Sequence, residues 1–167
     1  MVAGCAARQR LTVHLRLIAV GRRPPRWAEE AFSGYVRRLP PAFGFRAPLI
    51  SPARGHGSDV ERARAEEGER LLAAVGPRDY LVALDERGTA WSTKILAERL
   101  AAWEMDGRDV ALMIGGADGL SPACLERADQ RWSLSPLTLP HALVRVLVVE
   151  QLYRAWSLNT GHPYHRA

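Results

Sequence analysis

The stretch from Arg131 to Arg166 constrains this chain most, because it holds a helix with almost no polar face. Ala142 to Leu158 has the length and the unbroken apolar character of a long helix. Leu143, Val144, Val146, Leu147, Val148, Val149, Leu152, Tyr153 and Trp156 cover most of its circumference, leaving Arg145, Glu150, Gln151 and Arg154 as a polar stripe. A helix apolar nearly all round is buried on more than one side. It is therefore expected on its own sheet and also on another subunit; the plainer alternative is a core helix with a frayed end. Before it, Trp132 to Leu134 reads as a short strand and Ser135 to Pro140 as a proline-bracketed turn. After it, Asn159-Thr160-Gly161 and Pro163 form a stop, followed by a polar, non-helical tail, Tyr164-His165-Arg166.

Upstream, strands and helices alternate. Val13 to Val20 is a first strand ended by Gly21. Pro24-Pro25 opens a helix from Trp27 to Arg38, with Trp27, Ala31, Phe32, Tyr35 and Val36 spaced as a core face. Phe45 to Ile50 reads as a second strand, an edge or strand end because of Pro48. A loop rich in Gly, Pro and Ser, holding Arg54 and His56, leads to a charged helix from Asp59 to Val75. Tyr80 to Leu84 and Asp109 to Ile114 are short apolar runs of the kind buried on both faces of a sheet. The first ends in a polar loop, Asp85 to Gly88; the second runs into Gly115-Gly116-Ala117-Asp118-Gly119. Between them Ser92 caps a helix from Thr93 to Met105, and Ser121-Pro122 starts a short one. The alternation predicts an α/β fold with a mainly parallel sheet and helices on both faces.

A chain of 167 residues makes one domain with a core of its own. Residues 1–11 read as a disordered leader or start-site extension and 12–167 as the domain. Cys5 and Cys124 give neither a disulfide framework nor a zinc spacing, which fits a cytoplasmic setting. No apolar run approaches the roughly 20 residues of a membrane span. The net charge of +5 favours a polyanionic partner. Lys94 is the only lysine, so the excess is arginine, suited to phosphate but equally the mark of a GC-rich genome. Arg22, Arg23, Arg26 and Arg54 are the candidate phosphate contacts, against the alternative of ordinary solvated loops.

Ligands of parallel sheets bind outside the carboxyl ends of strands. Three such ends carry special sequence here: Leu84-Asp85, Ile114-Gly115-Gly116, and Leu134-Ser135 through Pro140. No G-x-G-x-x-G follows the first strand and no P-loop occurs, which disfavours ordinary nucleotide sites. His141, His162, His165 and Cys124 do not make a convincing metal set, because Pro163 lies between the last two histidines.

Leu112-Met-Ile-Gly-Gly-Ala-Asp-Gly-Leu-Ser-Pro122, Trp132-Ser-Leu-Ser135, Leu137-Thr-Leu-Pro-His141, Glu150-Gln-Leu-Tyr-Arg-Ala-Trp-Ser157 and His162-Pro-Tyr-His-Arg166 resemble the RlmH family, SPOUT-class enzymes that methylate N3 of a pseudouridine in large-subunit ribosomal RNA. The resemblance runs from Val13 to Arg166; relatives often carry proline and glutamate where Ala117-Asp118 stands. It implies a C-terminal trefoil knot, a homodimer with the knot helix in the interface, and S-adenosyl-L-methionine held by backbone groups at Leu84, Gly115, Gly116 and Ser135, Pro136, Leu137, Thr138, Leu139 and Pro140. For the proton that leaves N3, His141, His165 and Tyr164 are the titratable candidates, the tail being favoured; the alternative is that His165 and Arg166 only hold RNA phosphate. Arg154 either orients the base or donor, or simply pairs with Glu150. A methyltransferase acting on another RNA base and a non-catalytic RNA-binding module are the competing readings. With so little surface for reading sequence, the expected substrate is RNA in the assembled ribosome.

Overall fold

The computed structural model describes residues 12–54 and 59–166. The expected leader and His56 lie outside them. Five parallel strands form one sheet in the order β2-β1-β4-β3-β5: β1 is Leu15–Val20, β2 Leu49–Ile50, β3 Tyr80–Ala90, β4 Val110–Ile114 and β5 Gln130–Ser133. Alternation along β1 and β4 sends side chains to two cores, as a pleat must. Leu15, Leu17, Ala19, Leu112 and Ile114 face one core with Phe32, Leu100, Trp103 and Leu152. Ile18, Val20, Ala111 and Met113 face the other with Leu71 and Cys124.

Accordingly α1 (Arg26–Val36), α3 (Thr93–Asp106) and α5 (His141–Thr160) cover one face, and α2 (Val60–Ala73) and α4 (Pro122–Arg127) the other. The caps come from the expected side chains: Ser92 Oγ accepts from Ile95 N at 3.2 Å, and Ser121 Oγ from Cys124 N at 3.3 Å. The helix after β4 leaves to one face while those after β1, β3 and β5 go to the other. Connections diverging in this way open a crevice at the carboxyl ends of the strands.

Several boundaries differ from expectation for local reasons. β2 contracts to two residues, with only an isolated bridge from Arg46 to Arg16, because Pro48 has no N–H to give the ladder. β3 does not end at Leu84: both Leu84 and Thr89 register with Trp132, so Asp85 to Gly88 arch out and the strand resumes. β5 begins at Gln130 rather than Trp132. The tail is not irregular but a turn of 3-10 helix, Pro163–Arg166. Trp27 leaves the expected core face of α1 and is 55% exposed.

Arg145 is the largest departure. Read as part of a polar stripe, it is 5% exposed, its guanidinium 4.4 Å over the Phe32 ring where α1 packs on α5. Burial lowers its pKa, countered by the charge of Glu29. The outward face of α5 instead shows Leu143, Leu147 and Leu158, each more than a third exposed.

Candidate active site

Where β3, β4 and β5 end, a cleft of about 470 Å³ opens, lined by Leu84, the loop Gly115 to Leu120, Trp132, Leu134, Ser135 and Leu137 to Leu139. Three strand ends picked from the sequence thus meet in one place. Leu84, Gly115, Gly116, Ser135, Leu137, Thr138, Leu139 and His141 all line it; Pro136 and Pro140 do not. Arg64, Arg87, Arg131, Asp118, Trp132 and Val144 also line it and were not singled out. Their sequence context offered no signal: Arg64 is one arginine among many on a charged helix, and Trp132 reads simply as strand.

The floor is made by two glycines for different reasons. A methyl group added at Gly115 would stand 2.5 Å from the carbonyl carbon of Gly119 and 2.7 Å from its oxygen, so backbone fills that side. At Gly116 it would meet Glu67 Oε2 at 2.5 Å and Val20 Cγ1 at 3.2 Å. Gly119 N donates to Gly116 O at 3.1 Å, closing the loop on itself. The facing wall is also self-braced, Ser135 Oγ accepting from Leu137 N at 2.9 Å and leaving the Leu137 side chain 71% exposed.

His141 ties these walls together. It opens α5, and its Nε2 lies 2.7 Å from Gly115 O. A carbonyl only accepts, so Nε2 carries the proton and any basic lone pair is on Nδ1. The ring also packs on Gly21 at the end of β1, near enough to touch a methyl placed there at 3.4 Å.

The tail is elsewhere. Tyr164 hydroxyl donates to Glu150 Oε1 at 3.0 Å and lies 3.2 Å from the Tyr35 hydroxyl. Glu150 also takes Arg154 Nε at 2.9 Å, and the Arg154 guanidinium lies 4.8 Å over the Tyr164 ring. Glu150 is nine residues beyond His141, about 13 Å along the helix at ~1.5 Å per residue. In a single chain the tail therefore stands well away from the cleft. Of the two roles open to Arg154, its contacts here are those of the pair with Glu150. His165 Nδ1 bonds the carbonyl of His162, which by the same logic leaves the lone pair on Nε2.

Burial, then the hydrogen bonds to Tyr35 and Glu150, push the Tyr164 phenol well above its ordinary pKa. It is a proton donor at neutral pH, unsuited to act as base. A phenol whose pKa rises on folding stabilises the fold fully below about pH 10, its unfolded value, and that contribution is lost as pH climbs through the folded value. The melting temperature should therefore fall more steeply above pH 10 in the wild type than in Tyr164→Phe. Parallel slopes in a series of thermal melts would remove this account.

Arg22, Arg23 and Arg26 are exposed in and just after the loop leaving β1, Arg26 pairing with Glu30 at 2.7 Å; Arg54 and Arg166 are exposed too. Among the described residues no three His, Cys, Asp or Glu side chains come together to hold a metal, and no helix is long and apolar enough to cross a membrane.

A family model described as a predicted SPOUT methyltransferase matches residues 13–165, the whole span that builds the sheet, the cleft and the tail. The chain belongs to the SPOUT methyltransferase family. It is 56% identical over 158 residues to ribosomal RNA large subunit methyltransferase H of Alkalilimnicola ehrlichii, covering 93% of this chain and 100% of that one. Among solved structures, a probable methylase family protein from Haemophilus influenzae Rd KW20 aligns with a TM-score of 0.57 at 16% identity, over 92% of this chain and 71% of that one. That second likeness speaks for the fold alone. In this methyltransferase the cleft at the ends of β3, β4 and β5 is the candidate active site.

Proposed function

We propose that this chain methylates N3 of a pseudouridine in large-subunit ribosomal RNA, in the cytoplasm, with S-adenosyl-L-methionine as donor. The observation that carries the reading is the cleft itself, in a chain so similar to a ribosomal RNA large subunit methyltransferase. Its volume lies in the range of roughly 300–1,000 Å³ usual for small-molecule sites. Its lining suits the donor: Leu84, Leu137, Leu139 and Val144 offer apolar contact to an adenine, while the glycine floor leaves backbone groups open to polar ones. Gly115, Gly116, Ser135, Leu137, Thr138 and Leu139 would hold it, with Pro136 and Pro140 bending the chain around them. When bound, it supplies an electrophilic methyl group. Residues 12–167 then form a single catalytic domain whose last third is threaded as a trefoil knot.

The work of the chain is to position the base in line and to remove the N3 proton. His141 is the brace, since Nε2 is committed to Gly115 O and the Nδ1 side of the ring packs against Gly21. His165 has a free lone pair on Nε2 and is the better base, with Tyr164 and Arg154 holding its segment and Arg166 meeting phosphate. With tail and cleft apart within one chain, this reading brings them together across a homodimer, with the exposed Leu143, Leu147 and Leu158 in the interface. Arg22, Arg23, Arg26 and Arg54 supply further phosphate contacts, with a salt dependence to match.

The test is transfer of labelled methyl from S-adenosylmethionine to ribosomes and to protein-free large-subunit RNA, with the product nucleoside identified by mass spectrometry. N3-methylpseudouridine formed on ribosomes and not on naked RNA is the expected result. Label on another base would move the enzyme to a different target, and RNA binding without label would leave only a binding module. With saturating ribosomes, His165→Ala should lower kcat by roughly 10²–10⁴-fold; an unchanged rate would exclude it as base.

A further inference from the structure

Trp27 is the most exposed tryptophan position that a core reading should have buried, and nothing in the catalytic reading uses it. It is the second residue of α1 and 55% exposed. Just before it come Arg22, Arg23, two prolines and Arg26, all of these arginines exposed. The backbone there is stiff, since Pro24 and Pro25 fix their own dihedrals and Pro25 caps α1. No side chain caps α1; the amides of Ala28 and Glu29 go to Pro25 O and Glu29 stands in the first turn, so the attraction for phosphate at this end comes from the arginines and the positive end of the dipole. The segment starts beside the cleft: Gly21 abuts the His141 ring, and Val20 lies against Gly116. From Gly21 to Trp27 the chain reaches at most about 20 Å. An indole set among cations and close to the donor cleft matches the two needs of single-stranded nucleic acid, a flat apolar face for a base and positive charge for its phosphates.

Resting on the proposed ribosomal RNA substrate, we propose that Trp27 stacks on an unpaired base beside the target nucleotide, while Arg22 and Arg23 hold the flanking phosphates. Trp27 thereby sets which nucleotide enters the cleft. It is a positioning residue and takes no part in proton or methyl transfer.

Two readouts on the intact protein test this: cosedimentation with ribosomes across a salt series, which needs no catalysis, and methylation kinetics on the same ribosomes. Trp27→Ala should weaken ribosome binding and raise KM roughly 5- to 150-fold, the usual range for one stacked base, with a much smaller change in kcat. Trp27→Phe should restore most of the loss. The salt slope of Trp27→Ala should remain that of the wild type, whereas Arg22→Ala should reduce it by about one unit. Binding and KM within twofold of wild type in Trp27→Ala would overturn the proposal. So would loss of dimers by that variant in sedimentation, since the indole would then pack on a second copy. If the wild type binds ribosomes without methylating them, the catalytic reading fails, and weaker binding by Trp27→Ala still supports the stack.

Discussion

Replacing Gly115 by alanine should abolish donor binding and methyl transfer, whereas the same change at Gly116 should leave a measurable fraction of both. The difference lies in what each new methyl meets. At Gly115 it collides with backbone of Gly119 and Leu120 at 2.5–2.7 Å, and main chain cannot rotate aside. The loop has to open, which breaks the 2.7 Å bond from His141 to Gly115 O and pulls the start of α5 from the floor. At Gly116 the closest atom is the tip of Glu67, which can swing away on losing its 2.9 Å bond from Ala53 N. Overpacking of the first kind costs about 1–3 kcal/mol, or roughly 2–12 °C of Tm for a chain of this size; loss of one hydrogen bond costs about 0.5–1.5 kcal/mol. Calorimetry with S-adenosylmethionine should show affinity down by at least about 100-fold for Gly115→Ala, taking two tenfold steps of ~1.4 kcal/mol each. A Gly115→Ala protein that binds like the wild type, or a Gly116→Ala protein that is the worse of the two, contradicts this assignment of the floor.

Two variants that are each inactive should recover activity when their subunits are mixed. His165→Ala retains a cleft and lacks the base; Gly115→Ala lacks a usable cleft and retains the tail. If the tail of one protomer serves the cleft of the other, the mixed dimer contains one complete site. Random reassortment then gives about a quarter of the wild-type rate, half the dimers being mixed and each having one working site of two. Differently tagged subunits, unfolded together, refolded and captured in sequence, isolate the mixed species. An inactive mixed dimer would show that tail and cleft do not act in this arrangement.

The cleft was legible in the sequence because its parts are marked by residues with few other uses. Two adjacent glycines directly after the apolar run Val110–Ile114, and prolines bracketing Ser135 to Pro140, signal chain bending sharply at strand ends. The arch from Asp85 to Gly88 was not legible as part of a strand, since charged residues carry no pairing signal and the register is fixed by Trp132 far along the chain. Trp27 has the spacing of a core residue, but side chains lean toward a helix's amino terminus, so one in the first turn overhangs the end of α1. Arg145 groups with the polar residues by type, yet at ~100° per residue it lies about half a turn round the helix from Arg154, on the side of Val149 and Leu152, where α1 offers Phe32 to the guanidinium. Periodicity reports which residues share a face; which neighbour covers the face is decided by the packing of separate elements. The separation of tail from cleft is likewise invisible along the chain, where Tyr164 comes shortly after the end of α5.

The pairing of β1 with β4 also sets how the chain must come off the ribosome. Leu15 finds Val110 only 95 positions later, and β2 gives β1 just two paired residues in the meantime. At about 5–20 residues per second, an apolar strand that ends up paired on both sides within the sheet waits roughly 5–20 s before its main partner exists. Such late closure slows folding and leaves the early chain open to wrong partners. Yield should thus depend on growth temperature and on chaperone supply more steeply than the stability of the finished protein would suggest.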